Sequence, residues 1–160
     1  MTVILMGVSG AGKTTVGKLL ARALEWPFYE GDEFHSAANI AKMQSGIALT
    51  DLDRLGWLTA LEALIRKLDA EHINAVIACS ALKQDYRDRL RVGSRVRFIY
   101  LKGSYDLIRK RLESRPGHFM KAGLLASQFQ TLEEPGGVLT LDASLEPETI
   151  VRRIRQALGV

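Results

Sequence analysis

Residues 7–14 run Gly7-Val8-Ser9-Gly10-Ala11-Gly12-Lys13-Thr14, a full match to GxxxxGK[ST]. Glycines so spaced let the backbone close around an anion with its N–H groups turned inward. A helix opening at Lys13 adds the positive end of its dipole. Lys13 can reach β- and γ-phosphates, and the Thr14 hydroxyl can ligate Mg²⁺. The expected ligand is therefore a nucleotide with Mg²⁺, contacted between Gly7 and Thr15. The other Gly-rich nucleotide motif, G-x-G-x-x-G, fails because position 15 is Thr.

Phosphoryl transfer also needs a carboxylate that orients an acceptor hydroxyl and takes its proton. The later apolar segments end in Ala78-Cys79-Ser80 and Tyr100-Leu101-Lys102, not in the Asp of a second nucleotide motif. Asp32 is then the best-placed carboxylate, as base, as a water-mediated Mg²⁺ ligand, or both. A helix-capping Asp is the plainer alternative. His35 lies three residues on and is weighed with it. Arg54 follows Asp51 and Asp53, where an ion pair would account for it. Lys83 and Arg87 are four apart on one expected helix face. They could clamp an anionic substrate or form a solvated basic face. Arg109, Lys110, Arg111, Arg115 and Lys121 surround Pro116-Gly117. Such a basic, broken stretch can close over phosphates and supply an arginine in cis; a solvated helix end is the alternative. His72 and Cys79 are expected to have no chemical role. Trp26 and Trp57 read as packing residues.

These side chains need a scaffold, and the pattern alternates strand and helix, as in a parallel sheet wrapped by helices. Strands are expected at Thr2–Met6, Pro27–Glu30, Ala75–Cys79, Arg97–Leu101 and Val138–Leu141. The first helix, Lys13–Leu24, would bury Val16, Leu19, Leu20, Ala23 and Leu24. A short helix is expected at Ala37–Gln44. Thr50 or Asp51 can cap a longer one carrying Leu58, Leu61, Leu64, Ile65 and Leu68. Ser104 can cap a helix ending near Glu113, a helix follows near Leu124–Thr131, and Pro147 can open the last one. In such sheets ligands bind beyond the carboxyl ends of the strands, which is where Asp32 and Lys83 fall. Asp142, Ala143 and Ser144 are candidate adenine neighbours by the same rule.

At 160 residues the chain is expected to form one domain with a real core. No apolar run is long enough for a membrane span. The first apolar stretch is only a strand long and lacks a basic leader, so no signal peptide is expected. The single cysteine excludes an internal disulfide and suits a reducing cytoplasm. The net charge of +4 is read as serving polyanionic ligands rather than nucleic acid, because the basic residues cluster near the expected sites.

Taken together, the segments resemble the bacterial-type gluconokinases, P-loop small-molecule kinases related to shikimate kinase. The resemblance rests on Met6-Gly7-Val8-Ser9-Gly10, Gly31-Asp32 with His35, Asn39-Ile40, Lys42-Met43 and Asp53-Arg54 with Trp57-Leu58. It continues through Ala78-Cys79-Ser80-Ala81-Leu82-Lys83, Tyr86-Arg87-Asp88, Tyr100-Leu101-Lys102-Gly103, Gly117-His118-Phe119, Gln128-Phe129 and Leu132-Glu133-Glu134-Pro135. It implies a three-layer α/β P-loop fold of the nucleoside-monophosphate and shikimate kinase type. That fold has a five-stranded parallel sheet, a substrate-binding helical segment at about 32–60 and a lid at about 112–124. It implies ATP-dependent phosphorylation of D-gluconate to 6-phospho-D-gluconate, often by a homodimer. By matching position, Asp32 orients or deprotonates the primary hydroxyl. His35, Arg54, Lys83 and Arg87 are candidates for the gluconate pocket. Arg111 and Arg115 fall near the nucleotide, and His118 and Gln128 face the substrate. The chain departs from the family at Gly56, commonly Pro, and at Phe34-His35-Ser36, commonly Leu-His-Pro. A kinase for shikimate or another hydroxy acid is the nearest alternative. A nucleotide-dependent switch is the remote one; no Asn-Lys-x-Asp tetrad reads guanine here.

Overall fold

The computed structural model describes residues 1–115 and 122–160. Five strands form one wholly parallel sheet: β1 (Thr2–Met6), β2 (Phe28–Glu30), β3 (Ala75–Ala78), β4 (Val96–Lys102) and β5 (Leu139–Asp142). Their order is β2-β3-β1-β4-β5, which puts β1 at the centre. Every expected strand is present. Ends move by at most one residue, because pairing rather than composition sets them: Lys102 lies opposite Asp142 and so extends β4.

Alternation along β1 and β4 splits the interior in two. Val3, Leu5, Ile99 and Leu101 face one layer, with Leu20 of α1 (Lys13–Leu24) and Ile154 of the last helix (Pro147–Leu158). Ile4, Met6, Phe98 and Tyr100 face the other, with Trp57, Leu61, Ile65 and Leu68 of a long helix (Asp51–Ala70). Sheet strands covered on both faces read as near-continuous apolar runs, as Val3–Met6 and Phe98–Leu101 do.

Between α1 and the last helix the chain forms α2 (Ala37–Gln44), α3 (the long helix), α4 (Gln84–Leu90), α5 (Tyr105–Glu113) and α6 (Ala122–Thr131); the last is α7. Thr50 and Asp53 make a reciprocal capping box at the start of α3. Gly56 sits in open space within α3. The buried face of α1 differs from the expected one. Val16, Gly17, Leu20 and Ala21 are inside and Ala23 is exposed. The helix lies so close to β2 that a Cβ on Gly17 would stand 2.5 Å from the Phe28 ring, which turns its small-residue side inward. Part of the expected lid, including His118 and Lys121, lies outside the described residues.

Candidate active site

The glycine-rich loop leaves the centre of the sheet at Gly7. There φ is +143°, and a Cβ would lie 2.7 Å from the Leu101 carbonyl, so only glycine allows this exit. Gly7 N–H donates to Ser80 O, tying the loop to the segment after β3. Lys13 Nζ donates to the carbonyls of Gly7 and Val8 at 2.9 Å each. Desolvation lowers the Lys13 pKa; Asp32, Cys79 and Glu30 oppose that shift, while Arg115 adds to it. Thr14 Oγ1 donates to Glu30 Oε2 at 2.6 Å. Ser9 N–H donates to Gln128 Oε1 on α6 at 2.7 Å. Arg111 braces the loop from behind, donating to the carbonyls of Gly10 and Ala143.

The acceptor side is built on the 3-10 turn Gly31–Phe34 that follows β2. A Cβ on Gly31 would stand 2.5 Å from the Ala78 carbonyl, so glycine lets the turn press against the end of β3. Trp57 Nε1 donates to Gly31 O at 2.8 Å and locks the turn from α3. Trp57 thus packs, as expected, but it also stacks on His35 with ring centroids 4.6 Å apart. Burial lowers the His35 pKa below 6.5, Arg54 adds to the shift, and Asp32 opposes it. Arg54 Nη1 donates to Tyr86 Oη at 3.1 Å.

Both sides open onto one cavity of about 860 Å³. Ser9, Gly10 and Gly12 to Thr15 line it, with Asp32, His35, Arg54, Arg115 and Gln128. Gly7, Val8 and Ala11 serve as framework behind it; Val8 and Ala11 are buried in the core.

Two of the expected substrate contacts have protein partners in this structure. Arg87 is 1% exposed, and its guanidinium donates to the carbonyls of Ala81 and Leu82 and to Gln84 Oε1. It holds the turn after β3 from beneath and does not line the cavity. Lys83 pairs with Asp51 at 2.9 Å and also lies off the cavity wall. Its backbone is extended, since it is the N-cap of α4 rather than a helical residue. The i,i+4 face it was expected to share with Arg87 is therefore not formed. Arg111 likewise acts on the loop's carbonyls and does not line the cavity. Asp51 accounts for Arg54 only in part, at 3.9 Å.

The family model described as shikimate kinase matches residues 9–134. The thermosensitive gluconokinase of Escherichia coli K12 is 43% identical over 160 residues, covering 97% of this chain and 86% of that protein. The chain belongs to the gluconokinase family. A gluconokinase structure from Sinorhizobium meliloti 1021 matches with a TM-score of 0.85 at 40% identity, covering 99% of this chain and 95% of that one. A sugar kinase structure from Janibacter sp. HTCC2649 matches with a TM-score of 0.92 at 44% identity, covering 99% and 94%.

Sequence reasoning missed one residue that matters in this gluconokinase-family site. Glu30 ends β2, lines the cavity and accepts from the Thr14 hydroxyl. Its place at the carboxyl end of β2 was the available signal, because ligands in such sheets bind beyond the strand ends. Desolvation raises the Glu30 pKa, and Asp32 raises it further. Thr14, Glu30 and Asp32 thus offer hard oxygen donors along one cavity wall, the donor type that suits Mg²⁺. Cys79 lies beneath, its thiol pushed up to about 12 by burial, which fits the expectation of no chemical role.

Proposed function

We propose that the protein transfers the γ-phosphoryl group of ATP to the primary hydroxyl of D-gluconate, giving 6-phospho-D-gluconate and ADP. One observation carries this reading: the phosphate loop, the Asp32 carboxylate and the Arg54 guanidinium line the same cavity. The names of the family relatives support it.

Loop N–H groups and the Lys13 ammonium hold the nucleotide phosphates. Lys13 exchanges the Gly7 and Val8 carbonyls for phosphate oxygens, and its charge grows in value as negative charge moves during transfer. Asp32 accepts the hydroxyl proton as the new O–P bond forms and the bond to the ADP oxygen breaks. Arg115, from the edge of the lid segment, neutralises the transferring group. Thr14, with Glu30 and Asp32 behind it, would hold Mg²⁺, which supplies charge neutralisation across the phosphates. Arg54 pairs with the carboxylate of the sugar acid. His118 remains a proposed substrate contact. The enzyme is further read as a cytoplasmic homodimer, a state that light scattering of the purified chain would check.

A coupled ADP-release assay across sugar acids and hydroxy acids tests the proposal. Turnover is expected with D-gluconate. The family model described as shikimate kinase favours a second reading. Robust shikimate turnover without gluconate turnover would select it.

A further inference from the structure

The cation that faces the acceptor is singled out by what happens to its neighbours. Among the described basic side chains of α3 and α4, Arg54 is the one that lines the cavity. Arg89 is spent on Glu62 and Thr59, and Arg87 on backbone carbonyls. Lys83, at the N-cap of α4, is held by both oxygens of Asp51.

Arg54 has the same carboxylate close by, three residues back on its own helix, but meets it only as a long ion pair, without a hydrogen bond. The separation is 3.9 Å, and Tyr86 stands between them. Arg54 Nη1 donates to Tyr86 Oη, and Tyr86 Oη donates to Asp51 Oδ1. The Tyr86 ring is buried against the second core layer and carries the Arg54 guanidinium 5.7 Å from its centroid. Its hydroxyl cannot drift, because both its hydrogen-bonding capacities are used.

We infer that Tyr86 is a specificity-determining positioning residue: its hydroxyl keeps Asp51 from closing on Arg54 and so leaves the guanidinium's charge for an acceptor carboxylate. A guanidinium satisfied bidentately by Asp51 would have its fork occupied and its charge cancelled. A guanidinium bound at one nitrogen by a neutral phenol, with Asp51 held at 3.9 Å, keeps the rest of its fork and most of its charge. Lys83 completes the device by supplying Asp51 with the cation it would otherwise take from Arg54.

This inference rests on the proposed pairing of Arg54 with the sugar-acid carboxylate, and steady-state kinetics with ATP and D-gluconate separate the two. In Tyr86→Phe the ring remains and the hydroxyl is lost. The KM for gluconate should rise about five- to tenfold, the loss expected for a weakened charge-assisted contact. The kcat and the KM for ATP should stay within about twofold, a split that general loosening of the fold does not give. Adding Asp51→Asn to Tyr86→Phe removes the competing carboxylate and should restore most of the gluconate KM. An unchanged KM in Tyr86→Phe, or no recovery in the double variant, overturns the inference. Arg54→Gln with an unchanged gluconate KM overturns instead the pairing on which it rests.

Discussion

The side-chain carbonyl of Gln128 accepts the main-chain N–H of Ser9 at 2.7 Å, joining α6 to the phosphate loop across 119 residues of chain. An N–H of this loop is a group built for phosphate oxygen, and here an amide oxygen takes it. Gln128→Glu would put a full negative charge at that spot. A carboxylate accepts the N–H more strongly than an amide and repels the incoming phosphates. The KM for ATP should rise by about tenfold, with a smaller effect on gluconate. A gluconate-specific effect would instead return Gln128 to the acceptor side, where the family resemblance put it.

Asp32→Asn keeps size and hydrogen bonding but cannot take a proton. The kcat should fall by about 10²–10⁴-fold, the range for loss of general-base assistance. ATP affinity, measured by equilibrium titration, should stay within about twofold. Unchanged turnover would remove Asp32 from the chemistry.

Glu30 carries a stability cost. Its folded-state pKa is raised above 4.5 by burial and by Asp32. The folded state therefore holds this proton more tightly than the unfolded chain does. Stability from this group is present below the unfolded value and lost as pH rises through the folded one. Glu30→Gln should raise the melting temperature of the ligand-free protein at pH 7 by about 1–3 °C, with Thr14 still hydrogen-bonded. The same change should lower turnover and raise the Mg²⁺ concentration needed for half-maximal rate. A melting temperature that falls would show that the carboxylate is stabilising after all.

His35 gives the opposite pH signature. Burial against Trp57 lowers its folded pKa below 6.5, so the unfolded chain takes up the proton first as pH falls. Stability should decline as pH drops through 6.5 toward that lowered value, and stop declining below it. Melting temperatures recorded across this window should show the slope in the native protein and a reduced slope in His35→Gln. Equal slopes would assign the pH dependence to other groups.

The frame of this fold was legible because its signals are local. β1 and β3 are unbroken apolar runs, Thr50 and Ser104 cap where expected, and Pro147 opens α7. The glycine-rich loop between β1 and α1 carried the phosphate side for the same reason. The acceptor side was legible only in part, because it depends on which partner each cation finds across the fold. Nothing in the order of residues says that Asp51 takes Lys83, or that Arg87 turns inward to the carbonyls of Ala81 and Leu82. Both are contests settled by distance in three dimensions. Glu30 escaped notice because a lone acidic residue at a strand end looks like a solvated one until Thr14 is brought beside it.

The central place of β1 bears on how the protein is made. Thr2–Met6 leaves the ribosome well before its two flanking strands, residues 75–78 and 96–102. At about 5–20 residues per second, the first strand waits roughly 5–20 s for both partners. Throughout that interval a largely apolar segment has no edge to join, and the glycine-rich loop has no Leu101 carbonyl to rest against. The nascent chain thus acquires its anion-binding ability late, although the loop itself is made before the strands that support it.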